Sequence, residues 1–223
     1  LKTAITTLIT LSIIGYLIYF IDWSIFLKSS YNINFTTFIF GVSIFILYPF
    51  IIGVRWKTIL HHHSYNSKIK ECLEAAFHSF SLNLFAPAKS GDFIKILSMK
   101  SIENKSKLFS IIISERLGDV IVLSSIILIS NIYFLKTWEF LFGLTVLLSI
   151  FLCVFLSKYI TFKFNNNKLL VIQEKIFDGL ASWRQMPIKM LHVSSYSLLN
   201  WMIGALQVWI FFQAFDINIS YLI

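Results

Sequence analysis

The chain has 223 residues, of which 57% are hydrophobic and 13% charged, about half the usual charged share. A soluble domain of this size has too little interior to hide so much apolar surface, which excludes a soluble globular enzyme. The net charge of +8, from 19 basic and 11 acidic residues, sits in short loops. Positive-inside bias and anionic headgroups account for it there, so nucleic acid is not expected as a partner.

Five stretches contain no Asp, Glu, Lys or Arg: 3–21, 29–54, 120–135, 140–157 and 190–215. Each covers most or all of a hydrocarbon core roughly 30 Å thick, which takes about 20 helical residues. The expected fold is an all-α polytopic membrane protein with about five transmembrane helices. Lys2 precedes the first span and no small-residue cleavage site follows it, so this span reads as a retained anchor. Cys72 and Cys153 have neither metal-site nor disulfide spacing.

Basic residues crowd into 55–72, 89–107 and 158–189, whereas only Lys28 and Lys136 mark the other connections. With the basic loops cytoplasmic, the N-terminus is inside and 22–28 and 136–139 are outside. Segment 73–98 then has both flanks on one side. Its uncharged part, Ala75 to Ala88, is too short for two crossings. It is expected to be a re-entrant helical hairpin, broken by Pro87 and turned by Gly91, with its tip near Asn83–Ser90. Trp23 and Trp138 read as outer-boundary residues, and Trp56 and Trp183 as inner ones. Residues 168–185 place Leu169, Ile172, Ile176, Leu180 and Trp183 on one face of an interfacial amphipathic helix, with Lys168, Lys175 and Arg184 reaching headgroups.

Two clusters carry chemistry. In S-L-N-L-F-A-P-A-K-S-G-D-F-I-K-I (81–96), a second half-helix starts near Pro87 and is capped by Ser90 or Asp92. Its N-terminus, beside Lys89, forms an expected anion site for a phospholipid or polyprenyl phosphate. The plainer reading is that Lys89 and Asp92 neutralise each other at a kink. In S-E-R-L-G-D (114–119), Glu115 and Asp119 share one helical face and Arg116 stands three residues before Asp119. Counted from Lys107, the two carboxylates lie about 12 and 18 Å along the axis. Charges at that depth face the bundle and pair, either as a polar path for a headgroup or as a structural network. Arg55-Trp56-Lys57 reads as an interfacial anchor, with Trp56 between two snorkelling cations. His61-His62-His63 reads as a solvated loop rather than a metal site, and His78 and His192 are single. No nucleophile–base pair, phosphate loop or zinc spacing occurs, so neither an enzyme nor a cofactor is expected.

The ordered set R-W-K-x-x-L (55–60), L-N-L-F-A-P-A-K-S-G-D-F-I-K (82–95) and I-S-E-R-L-G-D (113–119) resembles the flippase-like family named for the transmembrane region of lysylphosphatidylglycerol synthase. The resemblance implies a protein that moves, or helps move, an amphipathic lipid between leaflets of a bacterial or archaeal cytoplasmic membrane. It assigns motif positions to Asn83, Pro87, Gly91, Asp92, Glu115, Arg116 and Asp119. The 223 residues hold no counterpart of the synthases' aminoacyl-transferase domain, so lysyl-lipid synthesis is not expected of them. Relatives continue toward a second Pro/Gly-rich break, so 223 residues forming one transmembrane domain are expected to be a fragment of an inverted-repeat fold that lacks its C-terminal spans. Two other readings remain open. One is an intramembrane enzyme on lipid-linked sugars that uses Asp92, Glu115 or Asp119. The other is a scaffold partnered with a cell-envelope synthase.

Overall fold

The computed structural model describes residues 15–16, 18–24, 33–134, 137–157, 159 and 167–217. Most of the expected first span, 3–21, lies outside these residues. Eight α-helices can be followed in order among them: α1 (Phe35–Ile44), α2 (Leu47–His62), α3 (Ile69–Asn83), α4 (Ile94–Ser98), α5 (Lys105–Phe134), α6 (Thr137–Leu156), α7 (Asn167–Gln185) and α8 (Pro187–Ala214). A 3-10 helix, Pro87–Phe93, stands between α3 and α4. No strand occurs among the described residues, and the protein is an all-α polytopic membrane protein. Phe35–His62 and Pro187–Ala214 are long and apolar enough to cross a bilayer, and Phe140–Leu156 is a shorter apolar helix.

The helix boundaries follow from local chemistry. Asn34 caps α1, its Oδ1 accepting from the Thr37 N–H at 3.1 Å, and Asn104 caps α5, accepting from the Lys107 N–H at 2.9 Å. The 30 residues of α5 extend about 45 Å, longer than the hydrocarbon core. Its charged residues fall well inside that length. Between α7 and α8 only Met186 is non-helical, and Pro187 opens α8 at the position where a missing N–H costs nothing.

The chain divides into two compact units, one formed by Ile44–Gly204 and one by the residues on either side. In the smaller unit, Phe38 packs against Phe211 and Phe215 at ring distances of 5.6 and 6.4 Å. There the Gln207 amide donates to the Gly41 carbonyl at 2.9 Å. In the larger unit, Trp56, Ile59, Leu60, Cys72, Ala75 and Met99 form a buried core with Leu108, Ile111 and Ile112 of α5. Small residues let α2 and α3 approach closely: a Cβ on Gly53 would lie 2.6 Å from Leu73 Cδ2 and 3.1 Å from Leu73 Cα.

Segment 69–98 folds back on itself, α3 against the 3-10 helix and α4, with the break at residues 84–86. The expected hairpin is therefore present, but its turn chemistry is not as expected. The left-handed residue is Lys89, at φ 56°, and no described glycine has positive φ. Gly91 serves close approach instead. A Cβ there would sit 2.5 Å from Asn83 Oδ1 and 2.7 Å from the Asn83 backbone N. Gly91→Ala should therefore cost about 1–3 kcal/mol, because the backbone must shift. Ser90→Ala, at an exposed neighbour, should stay within about 0.5 kcal/mol. Thermal unfolding of both variants in one detergent checks this, and equal midpoints would refute the close approach.

Three further expectations are corrected. Neither Ser90 nor Asp92 caps the second arm, which begins at Pro87 with no side-chain cap. Asp92 is instead drawn across the hairpin by Ser79 and Asn83. Trp183 is buried, its indole N–H donating to the Ser114 carbonyl at 2.9 Å, so it locks α7 onto α5 rather than marking a boundary. On the same stripe Leu180 is buried, while Ile172 and Ile176 remain exposed. Lys175 lies over the Phe109 ring at 5.3 Å.

Candidate functional site

Arg55 and Trp56, expected at the interface, are instead buried. Arg55 is 3% exposed and Trp56 fully buried. A cation at the end of an apolar helix snorkels only when nothing inside holds it, and here two carboxylates do. The Arg55 guanidinium pairs with Glu115 and, at 2.6 Å, with Asp119 Oδ1; it also donates to Ser197 Oγ at 2.7 Å. Ser197 in turn donates to Asp119 Oδ1 at 2.6 Å.

The network extends from this centre to the hairpin. Lys95, fully buried, reaches the two oxygens of Glu115 at 3.1 and 3.0 Å and stands 3.6 Å from Asp92. Its ammonium also lies 5.1 Å from the Trp56 ring centroid, which gives the buried indole face a cation to meet. Arg116 bridges Asp92 at 3.0 Å, Glu115 at 3.2 Å and Asp119 at 2.6 Å. Three cations thus face three carboxylates, supplied by α2, the hairpin and α5. The i,i+4 spacing of Glu115 and Asp119 is what sets both carboxylates on the Arg55 side of α5.

One side of the network is open. A cavity of about 300 Å³ has Arg55, Asn83, Lys89, Asp92, Arg116 and Asp119 among its lining residues. Phe45, Tyr48, Phe80 and Trp201 line it as well, with Asn200 of α8. Among the described residues its lining therefore carries three cations and two carboxylates, an excess of one positive charge. The excess is Lys89, which makes no ion pair among the described residues and holds its ammonium 5.2 Å from the Trp201 ring centroid. Arg116 Nε, Asn83 Oδ1 and Asn200 Oδ1 are buried with no hydrogen-bond partner among the described residues. Tyr48 stacks on Phe80, which packs edge-on against Phe45, so the other wall is aromatic. Such a cavity suits a molecule that is anionic at one end and apolar at the other.

The structure brings together Arg55, Asn83, Lys89, Asp92, Glu115, Arg116 and Asp119 from the sequence candidates. Pro87 and Ser90 are exposed on the hairpin, and Gly91 is buried against Asn83. The second arm is a 3-10 helix of seven residues, so the positive charge at the cavity comes from side chains such as Lys89 and Arg116 rather than from a helix dipole. Lys95, Ser197, Asn200 and Trp201 had no assigned role in the sequence reading. Only Lys95 carried a signal, standing three residues after Asp92 on a helical turn.

Outside the Phe35–His62 span, His63 is also perturbed. Burial, and then the charges of Lys107, His62 and Lys189, push the His63 imidazole down from 6.5 to about 4. His63 is therefore neutral in the folded protein at pH 7. The unfolded chain takes up its proton first, so stability should fall as pH drops from about 6.5 to about 4 and level off below. His63→Gln should flatten that slope in thermal unfolding across the same pH range, and an unchanged slope would remove His63 as its source.

These features define a polytopic helical membrane protein with a buried charge cluster opening on an amphipathic cavity. Residues 3–223 match the family described as the lysylphosphatidylglycerol synthase TM region, and the chain belongs to that family. Membership makes it a membrane protein of lipid metabolism or transport. No curated protein and no solved structure matches the chain.

Proposed function

We propose that this chain moves, or helps move, an anionic lipid between leaflets, and that the cavity beside Lys89 receives the headgroup. The observation that carries this reading is the Lys89 ammonium, which has no ion-pair partner among the described residues, in a cavity with an aromatic wall and an excess positive charge. An anionic phospholipid or polyprenyl phosphate supplies the missing charge, and its chains remain among the apolar faces of the helices. Asp92, Glu115 and Asp119 are each held by cations, which leaves none poised as a general acid or base. This favours a translocator over an intramembrane enzyme, in a cytoplasmic membrane with the basic loops inside.

The reading is tested with the purified chain in vesicles containing a fluorescent anionic lipid or its zwitterionic counterpart. Transfer of the anionic lipid between leaflets should be accelerated by the wild type. Lys89→Ala should abolish that acceleration, and Arg116→Ala should as well if it remains folded. Equal transfer by wild type and folded Lys89→Ala would overturn the assignment. A chain that binds an envelope synthase and accelerates no lipid would favour the scaffold, in which the saturated charge network is structural.

A further inference from the structure

A second cavity, of about 600 Å³, lies among α5, α6, α7 and α8 and shares no lining residue with the charged one. Its volume is in the range of small-molecule sites, about 300–1,000 Å³. Leu148, Phe151 and Phe155 of α6 form one wall and are all more than half exposed. Ile121 and Leu191 form the facing parts. From Leu147 to Phe155 the α6 wall runs about 12 Å, a continuous apolar track over two turns. Among the described residues one charged side chain lines this cavity, Arg184, at the end where α7 closes. Its Nη1 donates to Ser157 Oγ at 3.2 Å, which holds the guanidinium beside the last turn of α6. No carboxylate pairs with Arg184 among the described residues.

We infer that this groove is a binding site for one acyl chain of a membrane glycerophospholipid whose phosphate rests on Arg184. The charge at one end and the apolar track leading from it match the two ends of such a lipid, and a guanidinium is well shaped for phosphate oxygens. The site is distinct from the transport reading's cavity, with which it shares no lining residue. It would hold a resident lipid as a structural or regulatory ligand.

The experiment uses the full chain in phosphatidylcholine nanodiscs that contain a phosphatidylglycerol with a diazirine midway along one acyl chain. After irradiation, peptide mapping should place the label mainly on Leu148, Phe151, Phe155 and Leu191. Arg184→Glu should lower that labelling by about tenfold or more. Leu148→Trp, which fills the groove and keeps the charge, should displace the label as well. Labelling at the exposed Trp138 should not change in either variant. Lys89→Glu should leave groove labelling intact, which separates this site from the headgroup cavity. Label spread evenly over lipid-facing residues, or groove labelling unmoved by Arg184→Glu, would overturn the inference.

Discussion

Replacing Glu115 by Gln should lower stability by about 3–5 kcal/mol, the range found when one partner of a buried ion pair is removed. Glu115 has no exposed side-chain surface and is held by Arg55, Lys95 and Arg116. Without its charge, three buried or half-buried cations share only Asp92 and Asp119. The amide can still accept hydrogen bonds, so the loss reports charge rather than shape. Lys95→Met in the same background should recover part of the loss, because it removes the stranded ammonium and leaves an apolar chain of similar length against Trp56. Chemical or thermal unfolding in one detergent gives both numbers. A loss below about 1 kcal/mol for Glu115→Gln would mean that water screens the cluster as it does surface pairs.

The second large effect concerns binding rather than stability. Lys89 is exposed on the 3-10 arm of the hairpin, ion-pairs with no carboxylate among the described residues, and carries a left-handed backbone at φ 56°. A non-glycine residue pays about 1 kcal/mol for that conformation. Lys89→Gly should therefore raise stability by about 1 kcal/mol while removing the cation. Lys89→Glu turns the excess positive charge of the cavity into an excess negative one, and should weaken binding of an anionic lipid by about 30-fold or more, equivalent to about 2 kcal/mol. A titration of the chain with the anionic lipid, next to an unfolding curve, separates the two effects. A lysine kept on strained backbone at no benefit to binding would contradict a functional role.

The sequence made some of this legible and concealed the rest for physical reasons. Pro87, inside an apolar run too short to cross twice, marked the hairpin because a missing N–H breaks a helix wherever it falls. Glu115, Arg116 and Asp119 were recognisable as a unit because helical spacing alone sets them on neighbouring positions. Arg55 and Trp56 were not. A tryptophan between two cations at the end of an apolar stretch has the same composition whether it faces headgroups or a buried carboxylate pair. The partners that decide between the two, Glu115 and Asp119, lie 60 and 64 residues away. Lys95 was obscured in the same manner, counted among loop charges until Glu115 was placed beside it. Ser197, Asn200 and Trp201 lie in an uncharged span with no local signal, and only the packing of α8 brings them to the site. Gly91 was recognised as special, but for a turn instead of a close approach; sequence does not separate these two uses of a missing Cβ.

Whether the Lys89 cavity takes an anionic lipid headgroup is decided by purifying the wild type and Lys89→Glu in mild detergent and identifying the retained lipids by mass spectrometry. The wild type should carry one anionic phospholipid or polyprenyl phosphate well above its share of the membrane, and Lys89→Glu, equally folded, should lose that enrichment. Bulk membrane composition in the wild type, or enrichment undiminished in Lys89→Glu, would contradict headgroup binding there.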